Sequence, residues 1–291
     1  NRTGVLYIDN SFTFGGAIIS LKTTLQALDQ RKYRPVLISA QPAAYLEENF
    51  PDIESHHLDL KLPWIHSQYY KKIAGSGIVR RSIFLQKIVR RGRFVVWLAC
   101  FILPEAGRIY RIGKRAGVRL IHLNNAFDGQ LSGIAAARLL GVPCLAHLRG
   151  YQQDYRTARI AAARVDYHIA ISRYIRDNLL ALGVPREKIA IVYDSVDPTY
   201  FPLQPGGNGF RSELGIPPAT LLIGLFGRII PWKGVREFVL AVKQVHENYK
   251  DFKAVVVGDA SDEADDYWRE VKQLVARLEL VARFQRRDPQ A

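Results

Sequence analysis

Methionine is absent from all 291 residues, the initiator included, although a strand-like apolar run at residues 5–8 begins almost at once. The chain therefore reads as starting inside a longer natural sequence. Cysteine is nearly as scarce: only Cys100 and Cys144 occur, each within an apolar run. Two cysteines far apart supply neither a disulfide framework nor a zinc site, so both read as buried thiols in a reducing cytosol. No secretory leader is visible. The longest unbroken apolar run, residues 94–103, is ten residues long, and a helix across a bilayer needs about 20.

Acidic residues are missing from one stretch altogether. Lys71, Lys72, Arg80, Arg81, Lys87, Arg90, Arg91 and Arg93 lie between residues 71 and 104 with no carboxylate among them. Much of the net charge of +14 is therefore local, and it implies an anionic partner. Residues 78–93 place four of these cations broadly on one helical side. Such a helix either meets anionic headgroups, with Phe84, Trp97 or Phe101 entering the interface, or lies solvated beside a core helix. Nucleic acid fits less well, because stacking aromatics are not interleaved with the charge and no nucleic-acid module is present.

What is abundant is alternation. Short β-branched runs at residues 5–9, 36–40, 54–58, 120–123, 144–147, 167–171 and 189–192 are separated by helical stretches, one expected over 17–31 and a long basic one over 66–115. This pattern means parallel strands in a doubly wound α/β sheet. Residues 194–218 then hold Pro198, Pro202, Pro205, Pro217 and Pro218 around a Gly-Gly-Asn-Gly run, which is expected to hold no regular element. The division reads as a first domain at 1–195, a linker at 196–219 and a partial second domain at 220–291. In the second, strands are expected at 221–226 and 254–257 and helices at 235–248 and 263–280.

Chemistry concentrates at the strand ends. In LLIGLFGRIIPWKG, residues 221–234, a buried strand ends at Gly227, Arg228 follows, and Lys233 stands at the mouth of the next helix. Ligands of open α/β sheets bind at the carboxyl ends of strands, where a helix N-terminus favours an anion. A guanidinium that forks onto two oxygens and a compact ammonium together suit a diphosphate. Gly15 and Gly16 follow the first strand and either let backbone approach a diphosphate or make a plain turn. His147 ends an apolar strand and either hydrogen-bonds a sugar hydroxyl or is structural. Asn124 and Asn125 end the strand before it and either contact the acceptor or donor sugar or cap the following helix, which Asp128 would start.

GRIIPWKG resembles the donor-phosphate motif of the retaining glycosyltransferases of family 4, which have the two-domain GT-B fold. Further segments resemble that family in the same order. They are residues 10–17 with Gly15-Gly16, Gly141-Val142-Pro143, Leu145-Ala146-His147, Ala170-Ile171-Ser172, Leu182-Gly183-Val184-Pro185 and Val255-Val256-Val257-Gly258-Asp259. The resemblance implies two Rossmann-like domains facing across a cleft, the second incomplete. It implies a nucleotide diphosphate-sugar donor, a glycan or lipid-linked acceptor, retention of configuration, and no metal or other cofactor. His147, Arg228 and Lys233 would be catalytic. Gly15, Gly16, Arg228, Lys233, Gly258 and Asp259 would line the donor, and Asn124 and Asn125 the acceptor side.

Two departures stand out. The family's Asn-Gly-Val-Asp turn is Asp194-Ser195-Val196-Asp197 here, and no glutamate has a second one eight residues on. The family's paired glutamates would then lie beyond Ala291, and the chain alone is expected to be inactive. A place in polysaccharide or glycolipid synthesis, in the cytoplasm or peripheral on the inner membrane face, is the corresponding expectation. The alternatives are a non-catalytic remnant and a membrane-surface scaffold with weak nucleotide binding.

Overall fold

A computed structural model describes residues 2–11, 15–59, 92, 95–127, 130–195, 208–258, 265–280 and 284–287. Residue contacts divide the chain into two units, 1–201 and 202–291, a boundary inside the proline-rich stretch.

Unit 1 is built on seven parallel strands: β1 (Thr3–Asp9), β2 (Tyr33–Ser39), β3 (Glu54–His57), β4 (Val118–Asn125), β5 (Cys144–Leu148), β6 (Tyr167–Ala170) and β7 (Ile189–Ile191). Their spatial order is β3-β2-β1-β4-β5-β6-β7. Helices α1 (Gly16–Gln26), α2 (Ala43–Asn49), α3 (Leu103–Arg115), α4 (Leu131–Leu140), α5 (Arg156–Arg164) and α6 (Arg173–Ala181) lie along the crossovers. A parallel sheet covered on both faces needs continuous apolar strands, and β1 is buried from Gly4 to Asp9. Leu6 and Ile8 belong to a core with Ala106 and Ile109 of α3 and Ile134 and Ala137 of α4. Val5 and Tyr7 belong to another, with Ile18, Leu21 and Leu25 of α1. By the alternation of a strand, Asp9 follows Val5 and Tyr7 onto the α1 face.

Both Gly-Val-Pro segments stop helices. Gly141 and Gly183 take φ of 67° and 89°, the left-handed conformation in which a helix commonly ends. The next amide turns back in each case, Val142 N to Ala137 O and Val184 N to Leu179 O, both at 3.1 Å.

Three expectations are corrected. α1 ends at Gln26 and not near Arg31, because Asp29 draws the chain into a turn that accepts the amides of Arg31, Lys32 and Tyr33. Cys100 is exposed, not buried: it sits in a π-helical turn (Leu98–Ile102) whose buried residue is Ile102. The supposedly structureless linker contains a short helix, α7 (Asn208–Glu213). Most of the basic stretch from 71 to 104 lies outside the described residues. Among the described residues no helix is long and apolar enough to cross a membrane.

Unit 2 holds β8 (Leu221–Phe226), β9 (Phe252–Val257) and β10 (Phe284–Arg287), parallel in the order β10-β9-β8. α8 (Val235–Asn248) and α9 (Asp265–Arg277) pack on this sheet. Val235, Val239 and Val242 of α8 and Val271 and Leu274 of α9 share a core with Phe252, Ala254 and Val256.

Candidate functional site

Register brings the unit 1 site together. Asp9 pairs with Asn124 across β1 and β4, and Asn124 pairs with His147 across β4 and β5. Three polar residues thus stand in a row at the carboxyl ends of adjacent strands. The row begins where the strand order reverses, between β1 and β4, the place where open α/β sheets leave a crevice.

All three are buried, so each needs partners. Asn124 is fully enclosed: its Nδ2 donates to Asp9 Oδ1 at 2.7 Å and to the Ala17 carbonyl of α1 at 3.2 Å. Its Oδ1 accepts from Arg149 Nε at 3.0 Å. Asp9 also accepts from the hydroxyl and amide of Ser11 at 3.0 and 3.2 Å. Burial pushes the Asp9 carboxyl above its ordinary pKa, while the hydrogen bonds from Asn124 and Ser11 and the charge of Arg149 pull the other way.

Arg149 is the node of the cluster. Its side chain is only 5% exposed. Nη1 donates to Ser20 Oγ of α1 at 2.6 Å and is ion-paired with Asp194, which also accepts from Ser20 Oγ at 2.6 Å. Burial alone would raise the Asp194 carboxyl, but the bonds from Ser20 and Arg149 outweigh it and hold the group below its ordinary value.

The remaining guanidinium nitrogen, Nη2, lies 3.3 Å from His147 Nδ1. A guanidinium has no acceptor, so Nδ1 must accept and the ring proton must sit on Nε2. Burial first, and then the charge of Arg149, push the His147 pKa down to about 4, with Asp194 opposing them. His147 is therefore a neutral donor near pH 7. Its Nε2 is buried without a partner among the described residues. Behind it, the His122 ring lies between Tyr7, at 4.8 Å, and His147, at 5.6 Å. Burial pushes the His122 pKa to about 3, with the charges of His147 and Arg149 adding to the shift.

The expected acceptor-side pair divides. Neither residue caps α4, whose N-cap is Gln130. Asn124, expected to touch a sugar, is instead internal scaffold. Asn125 is partly exposed and turns the chain with φ of 81°, a left-handed conformation that asparagine tolerates. Its carbonyl accepts the Arg149 amide at 3.3 Å. Gly15 is extended, at φ −168°, and caps α1 without a side-chain bond. A Cβ at Gly16 would meet open space. Packing does not demand a glycine at position 16, and the α1 N-terminus is left without a side-chain cap.

In unit 2, Arg228 and Lys233 flank a turn nailed down by Ile229 and Ile230, which are 0% and 6% exposed. Both cations are exposed, and among the described residues neither side chain has a hydrogen bond or ion pair. Lys233 ends a 3-10 turn (Pro231–Lys233), and Gly234, at φ 74°, opens α8. That N-terminus is not wholly free: the Arg236 amide donates to Tyr267 Oη at 3.1 Å. Gly258 has a packing role, since a Cβ there would stand 1.9 Å from the Gly227 carbonyl oxygen. The Gly227 amide bonds Val257 O at 2.9 Å, so the turn carrying Arg228 crosses directly over the end of β9. Asp259 lies outside the described residues, as does Asp128. Among the described residues no group of three or more His, Cys, Asp or Glu side chains is gathered as a metal site.

Sequence reasoning missed Asp9, Ser20 and Arg149, and noted Asp194 only as part of the altered turn at 194–197. A charged residue closing the apolar run at 5–8, and an arginine two residues past His147, were the available signals.

The sequence profile described as Glycosyltransferase Family 4 matches residues 14–200. The chain belongs to this family. The match covers Asn124, His147 and Arg149; Asp9 lies before it, and Arg228 and Lys233 lie after it. A 2-deoxystreptamine glucosyltransferase of Streptomyces kanamyceticus is 30% identical over 207 residues, 65% of this chain and 52% of that protein. The chain thus spans about half the length of this curated relative.

Among solved structures, a glycosyltransferase from Rickettsia africae superposes with TM-score 0.72 at 19% identity, covering 99% of this chain and 68% of that one. HepE of Anabaena, solved with UDP-glucose, gives 0.70 at 19% identity, covering 100% and 70%. These likenesses show the fold: an α/β protein of the GT-B class. A UDP-GlcNAc 2-epimerase of Neisseria meningitidis also matches, at TM-score 0.58 and 12% identity over 99% of this chain and 73% of that one. The fold serves more than one reaction, and the family rather than the fold points to glycosyl transfer.

Proposed function

We propose that this chain is the larger part of a retaining glycosyltransferase that moves a sugar from a nucleotide diphosphate to a hydroxyl of a glycan or lipid-linked acceptor. The observation that carries the proposal is the pair Arg228 and Lys233. Two exposed cations, without protein partners among the described residues, follow a parallel strand on a turn anchored in the core. They suit a diphosphate, whose negative charge grows as the bond to the sugar breaks, so their attraction is strongest in the transition state. Relatives support the donor class: the glucosyltransferase of Streptomyces kanamyceticus is named for sugar transfer, and HepE was solved with UDP-glucose.

His147 contributes a fixed Nε2–H, which suits a hydroxyl or ring oxygen of the donor sugar, and its low pKa excludes it as a proton donor by imidazolium near pH 7. In the transfer, the bond from the anomeric carbon to the diphosphate breaks and the electron pair leaves on phosphate. The acceptor oxygen bonds to the same carbon on the same face, and its proton passes to the departing phosphate. The basic stretch at 71–104 suits an anionic membrane surface near a lipid-linked acceptor, which supports reading the enzyme as one of polysaccharide or glycolipid synthesis.

The experiment is release of sugar from a panel of UDP- and GDP-sugars by the natural full-length protein, with and without crude glycolipid acceptor. Arg228→Ala and Lys233→Ala are each expected to lower turnover by about 100-fold. Turnover within twofold of the parent in both variants removes the proposal.

A further inference from the structure

The loop after β5 and the first turn of α6 carry a second feature of this sheet edge. Tyr151 and Tyr174 are 56% and 66% exposed, with ring centroids 5.9 Å apart and planes tilted by 32°. Neither phenolic oxygen has a hydrogen-bond partner among the described residues.

The rings are exposed, but their backbones are held from beneath. Buried Asn178 of α6 accepts the Gln152 amide at 2.8 Å and donates to the Gln152 carbonyl at 3.0 Å. The Gln152 side chain folds back to the Gly150 carbonyl at 2.9 Å. Asn178 stands one helical turn beyond Tyr174 on the same face, so the side chain that pins the loop also sets Tyr151 beside Tyr174. Ser172 fixes the start of the helix by accepting the Ile175 amide at 3.2 Å. Holding an exposed aromatic pair in place before a ligand arrives lowers the ordering cost of binding.

We infer that Tyr151 and Tyr174 form a stacking subsite for one pyranose ring of the acceptor glycan. This rests on the glycosyltransferase reading. A pyranose turns a face of C–H bonds toward an aromatic ring, whose face is electron-rich, and keeps its hydroxyls at the rim within reach of phenolic oxygens. Tyr151 lies two residues beyond Arg149, which touches His147, so the loop that carries Tyr151 starts from the row of polar strand ends. A lipid surface or a protein partner would require a broader apolar patch. Here the tyrosines are flanked on α6 by exposed Arg173 and Asp177, and the two rings offer about the footprint of one sugar.

The test is saturation-transfer NMR of the natural full-length protein with the methyl glycosides of glucose, galactose, mannose and N-acetylglucosamine. UDP binding is measured on the same samples. At least one glycoside should receive saturation at its ring C–H protons, reduced by about five- to tenfold in Tyr151→Ala and in Tyr174→Ala. Tyr174→Phe, which keeps the ring, should retain most of the signal. UDP binding should not change in any of the three variants, and circular dichroism should confirm that they fold. Absence of saturation from all four glycosides, or signal unchanged in both alanine variants, overturns the subsite. Failure of the parent to bind UDP strikes instead at the glycosyltransferase reading and leaves the sugar measurement to stand by itself.

Discussion

Lowering the pH from 7 to 5 should destabilise unit 1 through histidines that it holds neutral. His122, His147 and His168 are 7%, 5% and 1% exposed. Burial is the leading cause in each case, bringing their pKa values to about 3, about 4 and about 4. The charge of Lys188 adds to the shift at His168. These folded values lie below the ordinary histidine value near 6.5. The unfolded chain therefore takes up protons that the folded chain refuses as the pH falls below 6.5. Stability drops from there until about pH 4, and to about pH 3 for His122. Each pH unit inside that window costs about 1.4 kcal/mol per histidine. At pH 5 the loss is about 2 kcal/mol per histidine, or about 6 kcal/mol for the three.

A domain of this size has about 5–15 kcal/mol in total, so the loss is large enough to see by urea unfolding at pH 7 and pH 5. Ordinary carboxylates, with values of about 3.9 and about 4.3, stay mostly ionised down to pH 5. Asp9, whose carboxyl is raised, works in the opposite direction. His168→Gln should remove about a third of the pH dependence while leaving the site intact. An unfolding free energy at pH 5 within about 1 kcal/mol of that at pH 7 would mean that these rings are not held neutral.

Further outcomes follow from the same geometry. Arg149→Met strands the Asn124 oxygen and frees the loop bearing Asp194; unit 1 should lose about 2–4 kcal/mol in urea titrations, with Arg149→Lys recovering part of it. In the parent, nitrogen-15 NMR of the His147 ring should show the neutral Nε2–H form at pH 7, and removing the guanidinium should raise the ring's pKa. An Nδ1–H ring in the parent would contradict the donor assignment. Gly258→Ala forces a methyl onto the Gly227 carbonyl, so thermal unfolding of unit 2 should shift down by several degrees while unit 1 melts as before. Equal loss in both units would show that the crowding at Gly258 is not local.

The strands and most helices were legible because parallel strands must be apolar on both faces, and runs such as residues 5–8 and 254–257 have no other use. Helix ends were legible where glycine stops them, at Gly141 and Gly183, and illegible where Asp29 does so through its own oxygens. α7 was hidden because six residues of no clear periodicity sit among glycines and prolines. His147 and Asn124 could be placed at strand ends, but their alignment with Asp9 depends on register and strand order, which local pattern does not encode. Arg149 was invisible for a related reason: its partners come from α1, β4, β5 and the segment after β7, up to 129 residues away.

The most direct measurement is calorimetric titration of UDP into the natural full-length protein, comparing the parent with the double variant Arg228→Ala/Lys233→Ala. Because the net charge of +14 attracts any anion, Arg236→Ala serves as a control that removes one nearby exposed cation outside the turn. Grip on the diphosphate by Arg228 and Lys233 predicts at least about 100-fold weaker binding in the double variant and a near-parent value in the control. Equal weakening in both, or none in the double variant, would contradict it.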